Sequence, residues 1–365
     1  MKHSPFLFAA ILSIYLTPVQ SSSGDIQEFN DYINTSISKA NIAGMCIAIV
    51  SGDSILFTQG YGYSDIQTKE PFTPETVMNI ASISKTFVGV ALMHLVENGL
   101  IGLDDDVNNF LPFKVLNPHL PESIITPRHL MSHSSGIKDY QKVYLSSYHY
   151  GGDSPIPLGE FLEDYLSLDG THYSKKNFTK SKPGKKFIYS NIGAALAGYI
   201  VERVSGKPLN VFTKEIIFKP LGMNNTCWFL SEMDRAKHSR LYESKKNNTL
   251  LDNIDLYGLT TYPDGGVRTT VADLSRYLLC IMNKGLYKGT RILEEETVSE
   301  MLTPDYIDSY TKFWNIGDQV GHGGGDPGVS TGMYYSPKDK LGIIFFINTS
   351  SVSYTHLTLP TNREV

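Results

Sequence analysis

The chain has 365 residues, of which 41% are hydrophobic and 19% are charged. This is an ordinary globular composition, with enough apolar side chains for about two domains or for one large domain with an inserted lobe. The formal net charge of −5 excludes the strongly positive surface that a nucleic-acid-binding protein requires.

The N-terminus has the pattern of a signal peptide over residues 1–21. Lys2 precedes an apolar run, Phe6–Leu16, which is followed by a proline and small residues. The run is too short to span a bilayer, and we expect no transmembrane segment elsewhere in the chain. The sequence therefore predicts a secreted or periplasmic protein that begins near Ser22.

The cysteines are too few for a fold that depends on disulfides. There are three of them, Cys46, Cys227 and Cys280, so at least one thiol is unpaired. Cys46 and Cys280 lie in apolar runs, where a small buried side chain is expected. Any pairing among the three stays open.

The first elements in the chain are a helix, a hairpin and a second helix. Apolar residues at helical spacing predict a helix over residues 25–41. Two short apolar runs at 44–50 and 54–61 flank a Ser-Gly-Asp turn, which predicts a β-hairpin. Residues 82–98 are apolar on nearly all sides, so we expect a buried helix that ends at Gly99.

The rest of the chain is mostly helical until its last part. Residues 101–190 show no strand periodicity, and helices are expected to begin near residues 192, 208, 271 and 294. Two strands are expected at 328–336 and 341–348. Since strands cluster at the two chain ends, we predict an α+β fold. Its antiparallel sheet is built from both ends and flanked by helices, with a mostly helical insertion over about 101–260.

Ser82 and Lys85 carry the first candidate chemistry. They are three residues apart at the start of the predicted buried helix, so a hydroxyl and an amine share one helix face. A serine beside a proton acceptor is the outline of an activated nucleophile. Ser-x-x-Lys also begins at Ser36, Ser135 and Ser309, but only Ser82 opens a buried helix, where two polar groups must be paired or must face a cavity.

Tyr189 and Asn191 place a phenol and an amide two residues apart where a loop meets a helix. A packed tyrosine followed by a capping asparagine explains the pair equally well. A second Tyr-x-Asn pair begins at Tyr32 inside the first helix, so the motif is weak by itself.

The glycine-rich segment Gly321–Gly328 comes directly before a predicted strand. Its five glycines allow close approach of a ligand to the backbone, and we interpret it as a loop that contributes to a site. A flexible linker is the alternative. A phosphate-binding loop is disfavoured, because it is followed by a helix and not by a strand. His322 supplies a polar side chain at the start of the segment.

Together, these three motifs resemble those of the serine β-lactamase and penicillin-binding-protein family. The order Ser82-x-x-Lys85, Tyr189-x-Asn191 and His322-x-Gly324 is similar to its class C-like branch, which includes esterases and D-amino-acid peptidases. Further similar segments are 103–112, 125–136, 220–223 and 265–274. The resemblance covers about residues 25–350.

The resemblance implies a serine hydrolase domain over residues 22–352 that acts through an acyl-enzyme. In this interpretation Ser82 is the nucleophile, and Lys85 and Tyr189 share the proton transfers. The backbone N–H groups of Ser82 and Gly325 form the oxyanion hole. The substrate, a small molecule or short peptide, is bound by Asn191, His322, Gly324 and Gly325, and Asn191 also holds Lys85. No metal and no cofactor is implied.

Two departures from the family pattern refine this interpretation. His322-Gly-Gly stands where true β-lactamases carry Lys-Thr-Gly, and a mostly neutral histidine favours an esterase or a D-amino-acid peptidase. Residues 353–365 lack the expected C-terminal helical pattern and look non-native, like translated adapter sequence. The alternatives are a non-catalytic relative that binds peptides or cell-wall fragments, and a truncated chain that does not fold. The oligomeric state stays open.

Overall fold

The computed structural model describes residues 23–244 and 251–351. The predicted signal peptide and the tail 353–365 lie outside the described residues, so both stay predictions. The chain divides into two compact units, one that ends at Ala40 and one that begins at Asn41.

The first unit contributes one described helix, α1 (Ser23–Lys39), close to the predicted range. Phe29, Ile33 and Ile37 are buried at 1%, 1% and 8% exposure. Their spacing of four residues produces a single apolar stripe along the helix.

The second unit holds the other described elements. Its helices are α2 (Ser84–Glu97), α3 (Pro127–Met131), α4 (Gln141–Tyr144), α5 (Leu158–Leu166), α6 (Asn191–Ser205), α7 (Leu209–Thr213), α8 (Val271–Met282) and α9 (Glu295–Leu302). Its strands are β1 (Gly44–Ser51), β2 (Ser54–Asp65), β3 (Glu70–Pro71), β4 (Met78–Asn79), β5 (Tyr148–Tyr150), β6 (Leu241–Ser244), β7 (Leu251–Ile254), β8 (Tyr257–Leu259), β9 (Arg268–Thr269), β10 (Leu286–Tyr287), β11 (Thr290–Arg291), β12 (Tyr310–Thr311), β13 (Trp314–Asn315), β14 (Val320–Asp326), β15 (Val329–Ser336), β16 (Leu341–Ile347) and β17 (Thr349–Ser351).

The main sheet joins the two ends of the chain, which confirms the predicted fold class. Within the described residues its eight strands have the order β12-β13-β14-β15-β16-β1-β2-β3. Strand β1 lies between β2 and β16, and Ala48 pairs with Thr58 on one side and with Ile344 on the other. All neighbouring strands are antiparallel.

Helices α2 and α8 pack together at the sheet. Helix α8 contacts β1 and β16, and its Tyr277 ring stacks on Phe87 of α2 with centroids 4.1 Å apart. Nearly every side chain of α2 from Ser84 to Leu95 is buried, as predicted. The first turn of α2 is therefore held in place by the core.

The region between α2 and α6 differs from the prediction in one respect. It is built mainly of short helices and loops, but it also contains β5, which pairs with β8. A strand of three residues is too short to display a periodicity, so only the tertiary contact with residues 257–259 defines it.

The segment Gly321–Gly328 is not a loop, and that prediction was wrong. Residues 320–326 form β14, inside the main sheet. A Cβ on Gly321 would lie 2.0 Å from the Met333 carbonyl oxygen, and one on Gly324 would lie 2.3 Å from the Ile80 carbonyl oxygen. The glycines allow the backbone to pack closely against its neighbours, which the composition alone did not distinguish from flexibility.

We predict that Gly321→Ala destabilises the protein, because the new methyl group meets backbone atoms that have no room to move. The expected loss in the free energy of unfolding is about 1–3 kcal/mol, measured by urea titration. Gly152→Ala is the matched control, since a Cβ there meets no atom within 4 Å. Equal stability of the two variants would contradict this explanation of the glycines.

Candidate active site

Ser82 lies in a tight turn that precedes α2. Residues 81–83 form one 3₁₀ turn, and the residue before Ser82, Ala81, has a φ of 48°. The Asn79 side chain supports this conformation, because its Oδ1 accepts the Ala81 N–H at 2.6 Å. A non-glycine residue in the left-handed region costs about 1–2 kcal/mol and marks a backbone that its surroundings constrain.

Lys85 is fully buried beside Ser82. Its Nζ donates to Ser82 Oγ at 3.0 Å and to the Asp264 carbonyl oxygen at 2.6 Å. The same Nζ lies 5.0 Å from the centre of the Tyr189 ring. Burial lowers the pKa of Lys85, but the opposing attraction of Tyr189, Asp264 and Asp326 is stronger, so the net shift of this pKa is upwards. The side chain is therefore an ammonium at neutral pH.

Tyr189 and Asn191 lie at the N-terminus of α6. The capping residue is Ser190, whose Oγ accepts the Gly193 N–H at 2.9 Å. Asp139 completes the cap by accepting the N–H groups of Asn191 and Ile192, at 2.9 and 3.1 Å. The interpretation of Asn191 as the cap was therefore wrong.

The contacts of the Lys85 ammonium bear on the expected role of Asn191. The sequence predicts that Asn191 holds Lys85, and this role stays a prediction. In the structure the Lys85 ammonium donates to Ser82 Oγ and to the Asp264 carbonyl oxygen, which lies 179 residues away in sequence. Nothing local in the sequence indicated it.

His322 is buried on β14 and is neutral. Its Nδ1 lies 2.5 Å from the Gly323 carbonyl oxygen, and its Nε2 lies 3.0 Å from the Tyr310 hydroxyl. Because a carbonyl only accepts, Nδ1 carries the proton and Nε2 accepts from Tyr310. Burial, and secondarily the Lys85 charge, lower the pKa of His322 to about 3.

Gly324 and Gly325 lie beside the turn that carries Ser82. A Cβ on Gly324 would lie 3.2 Å from Ala81 Cβ, so the two chains touch at this point. Thr331 of β15 reinforces the contact by donating to the Ile80 carbonyl at 2.9 Å. Ser82 and Gly325 each follow the residue that makes this contact, so they lie on adjacent chain segments.

His133 is a part of the site that sequence reasoning did not single out. It is 1% exposed, its ring centroid lies 4.2 Å from that of Tyr189, and its φ is 50°. Its Nδ1 accepts the Ser190 N–H at 3.2 Å, so the proton of the neutral ring is on Nε2. Burial, with the nearby Lys85 charge, holds its pKa well below the usual range. His133 lies inside segment 125–136, which resembles the family, and this position was the one indication in the sequence that it belongs to the site.

Two carboxylates, the buried Asp264 and the half-buried Asp326, were also missed. Asp264 is 2% exposed, and Asp326 ends β14. Burial raises the pKa of Asp264 to about 7 and the pKa of Asp326 to about 6. Neither is close in sequence to Lys85, so spacing does not connect them to it.

The other Ser-x-x-Lys matches lie in different surroundings. Ser36 is on α1, where its Oγ donates to the Tyr32 carbonyl at 2.8 Å. Ser135 is in a loop and accepts the Ile137 N–H, and Ser309 is exposed. Of the four serines, only Ser82 receives a hydrogen bond from the lysine of its own motif.

Comparison with known proteins places the chain in a family. The sequence model of the Beta-lactamase family matches residues 26–359 of the chain. The chain belongs to this family. Its fold, a large antiparallel sheet with helices, is also found in solved structures of a penicillin-binding protein and of a penicillin-binding protein homologue.

Individual relatives are distant. "Protein flp" of Staphylococcus aureus (strain MRSA252) is 25% identical over 346 residues, which are 93% of this chain and 66% of the relative. The chain thus spans about two thirds of the length of that relative. The octameric penicillin-binding protein homologue from Pyrococcus abyssi is 28% identical with a TM-score of 0.75, over 89% of this chain and 74% of that one. The D-amino acid amidase from Ochrobactrum anthropi SV3 has the same fold, with 21% identity and a TM-score of 0.70 over 91% and 93%.

Some other expectations concern what the chain contains. Cys46, Cys227 and Cys280 are free thiols, and Cys46 and Cys280 are buried as predicted. Among residues 23–244 and 251–351, no helix is long and apolar enough to cross a membrane. The same residues contain no cluster of three or more side chains suited to a metal ion.

We predict that His322 makes the protein less stable in acid. The unfolded histidine takes up a proton below its usual pKa of about 6.5, whereas the folded one resists protonation down to about 3. Lowering the pH from 7 to 5 should therefore reduce the free energy of unfolding of the wild-type protein by about 2 kcal/mol more than that of His322→Gln.

Urea titrations of both proteins at the two pH values measure this difference. Asp264 and Asp326 have raised pKa values and act in the opposite direction, but they are present in both proteins and cancel. Parallel losses of stability in the two proteins would show that His322 titrates normally when folded.

Proposed function

We propose that this protein is an exported serine hydrolase in which Ser82 forms an acyl-enzyme with an ester or a D-amino-acid peptide. Membership of the Beta-lactamase family supports a serine hydrolase in general. The observation that carries the specific proposal is the hydrogen bond from Lys85 Nζ to Ser82 Oγ at 3.0 Å, with the Tyr189 ring beside the same ammonium.

In the acylation step Ser82 Oγ attacks the substrate carbonyl carbon. The Lys85 ammonium lies 5.0 Å from the centre of the Tyr189 ring, where it can balance negative charge that develops as protons move during the reaction. Tyr189 accepts the serine proton and passes it to the leaving group, while Lys85 keeps its proton and holds Ser82 in place. Water then attacks the carbonyl carbon of the acyl-enzyme. Tyr189 accepts the proton of the water and passes a proton to Ser82 Oγ, which leaves as the free hydroxyl.

The negative charge that develops on the carbonyl oxygen needs donors. The backbone N–H groups of Ser82 and Gly325 supply them in this proposal, and the contact between Gly324 and Ala81 brings their segments together. The Asn191 amide lies half-buried at the start of α6, and in this proposal it binds the substrate amide. In the same proposal His322 and Gly324 form the adjoining wall of the substrate-binding site.

The neutral state of His322 bears on the substrate. A β-lactam antibiotic carries a carboxylate, which a permanent cation would bind well. The buried His322, hydrogen-bonded to Tyr310 and Gly323, offers no positive charge at neutral pH. Esters and peptides without a carboxylate at that position suit it better.

We predict that Ser82→Ala abolishes covalent labelling by a fluorophosphonate, because the only proposed nucleophile is removed. Hydrolysis of p-nitrophenyl acetate should fall by at least about 10³-fold. Intact-protein mass spectrometry and absorbance measure the two effects.

Ser36→Ala is the matched control, because the same tetrapeptide, Ser-Ile-Ser-Lys, begins at Ser36. It should behave as wild type. A wild-type protein that forms no adduct at Ser82 with either a fluorophosphonate or benzylpenicillin would favour the alternative, a non-catalytic relative that binds peptides or cell-wall fragments.

We also predict a substrate order. The kcat/KM for p-nitrophenyl esters or D-alanyl peptides should exceed that for nitrocefin by about 10-fold or more, because a charge-assisted contact to the lactam carboxylate is missing. A panel of these three substrate classes measures it. Preference for nitrocefin would instead identify a β-lactamase.

A further inference from the structure

His133 contacts the chain on both sides of Tyr189. Its backbone carbonyl oxygen accepts the Ile188 N–H at 2.7 Å, and its side-chain Nδ1 accepts the Ser190 N–H at 3.2 Å. The imidazole ring also packs on the Tyr189 ring, with centroids 4.2 Å apart and planes inclined by 41°. One residue therefore contacts three consecutive residues, and the middle one is the proposed proton carrier.

The imidazole ring of His133 is itself fixed by packing. The rings of Phe187, Tyr310 and Phe313 lie around it, with centroid distances of 5.8, 5.0 and 5.4 Å. The residue is 1% exposed, so its ring has little freedom to move towards solvent. A functional group is held accurately when packing locks the rotamers of the residues that support it. The imidazole is thus a rigid support for the Tyr189 ring.

The backbone of His133 indicates that its side chain does more than fill space. Its φ of 50° lies in the left-handed region, which disfavours residues that have a Cβ. Glycine would adopt this φ without strain. Strained residues of this kind cluster at active sites, where the surrounding structure maintains them. The strain and the contacts with residues 188–190 therefore point to a functional role for the same side chain.

The proposed mechanism makes the position of Tyr189 critical. Its hydroxyl must exchange protons with Ser82 and with the leaving group, while the Lys85 ammonium lies 5.0 Å from the centre of its ring. A displacement of about 1 Å in such a group can lower a rate by about 100-fold. The ring of His322 is farther away, with its centroid 6.4 Å from that of Tyr189, so His133 is the closer support.

We propose that His133 is a positioning residue, which holds the Tyr189 phenol where it transfers protons to and from Ser82. The Nδ1 contact fixes the backbone at Ser190, and the imidazole ring fixes the orientation of the phenol. This inference rests on the proposed acyl transfer at Ser82 and adds a residue to it. In this role His133 acts only through Tyr189.

The test is a double-mutant cycle on the rate at which excess fluorophosphonate labels Ser82, followed by intact-protein mass spectrometry. His133→Gly removes the side chain and fits the φ of 50°. It should lower the labelling rate constant by about 30- to 100-fold in the wild-type background. In the Tyr189→Phe background it should lower this constant by less than about 3-fold, because the proton carrier is already absent. Equal losses in the two backgrounds overturn the proposal.

His133→Asn tests the Nδ1 contact. Asparagine carries an acceptor oxygen near the position of Nδ1 and tolerates the φ of 50°. It should therefore label Ser82 at least about 3-fold faster than His133→Gly does. Absence of this recovery overturns the role assigned to Nδ1.

The final extent of labelling separates positioning from folding. A positioning role slows the reaction of His133→Gly but leaves every molecule reactive, so labelling should reach the wild-type extent. A smaller final extent, reached at the wild-type rate, would show that His133 only maintains the folded state and would overturn the proposal.

His129→Asn provides the matched control. His129 lies in the same segment, and its ring stacks on Tyr306, which has no proposed role, with centroids 5.0 Å apart. This variant should label Ser82 at the wild-type rate. Failure of the proposed function has a different signature: a wild-type protein that is not labelled at Ser82 refutes the acyl-enzyme, and wild-type labelling of Tyr189→Phe refutes the proton carrier.

Discussion

The buried ammonium of Lys85 is the interaction on which the arrangement of the site depends. A lysine at 0% exposure is costly, by several kcal/mol, unless its donors are satisfied. Its partners come from separate parts of the chain: the Ser82 hydroxyl one turn earlier, the Asp264 carbonyl 179 residues later, and the Tyr189 ring at the start of α6. Pairing this one charge therefore requires that α2, α6 and the turn at Asp264 pack together.

The glycine strand β14 imposes the second constraint. Because Gly324 has no side chain, the strand can lie against the turn that presents Ser82. The alternation of the strand then directs His322 towards Tyr310 on one side and Asp326 towards Tyr148 on the other. The same packing thus decides which ionisable groups surround the nucleophile, namely a neutral histidine and two carboxylic acids.

Much of this architecture could be predicted, because strong local patterns carry it. The buried helix, the hairpin at Ser54 and the two C-terminal strands have clear periodicities, and their clustering at the chain ends was enough to predict one antiparallel sheet. The motif at Ser82 was chosen among four copies by a physical argument about buried polar groups, and the structure brings it together with Tyr189 and His322. The strand at Gly321 was missed because glycine lowers strand propensity, and the close packing that requires it involves residues far away in sequence.

The sequence by itself determined the family, the fold class and the identity of the candidate nucleophile, since these depend on motifs and periodicities within short stretches of chain. Only the tertiary structure decided the partners of Lys85, the cap formed by Ser190 and Asp139, and the neutral state of His322. It also brought Asp264 and Asp326 next to Ser82. The physical reason is that a pKa, a hydrogen bond or an unpaired charge depends on distance and burial, and neither can be read from positions that are separated by well over a hundred residues.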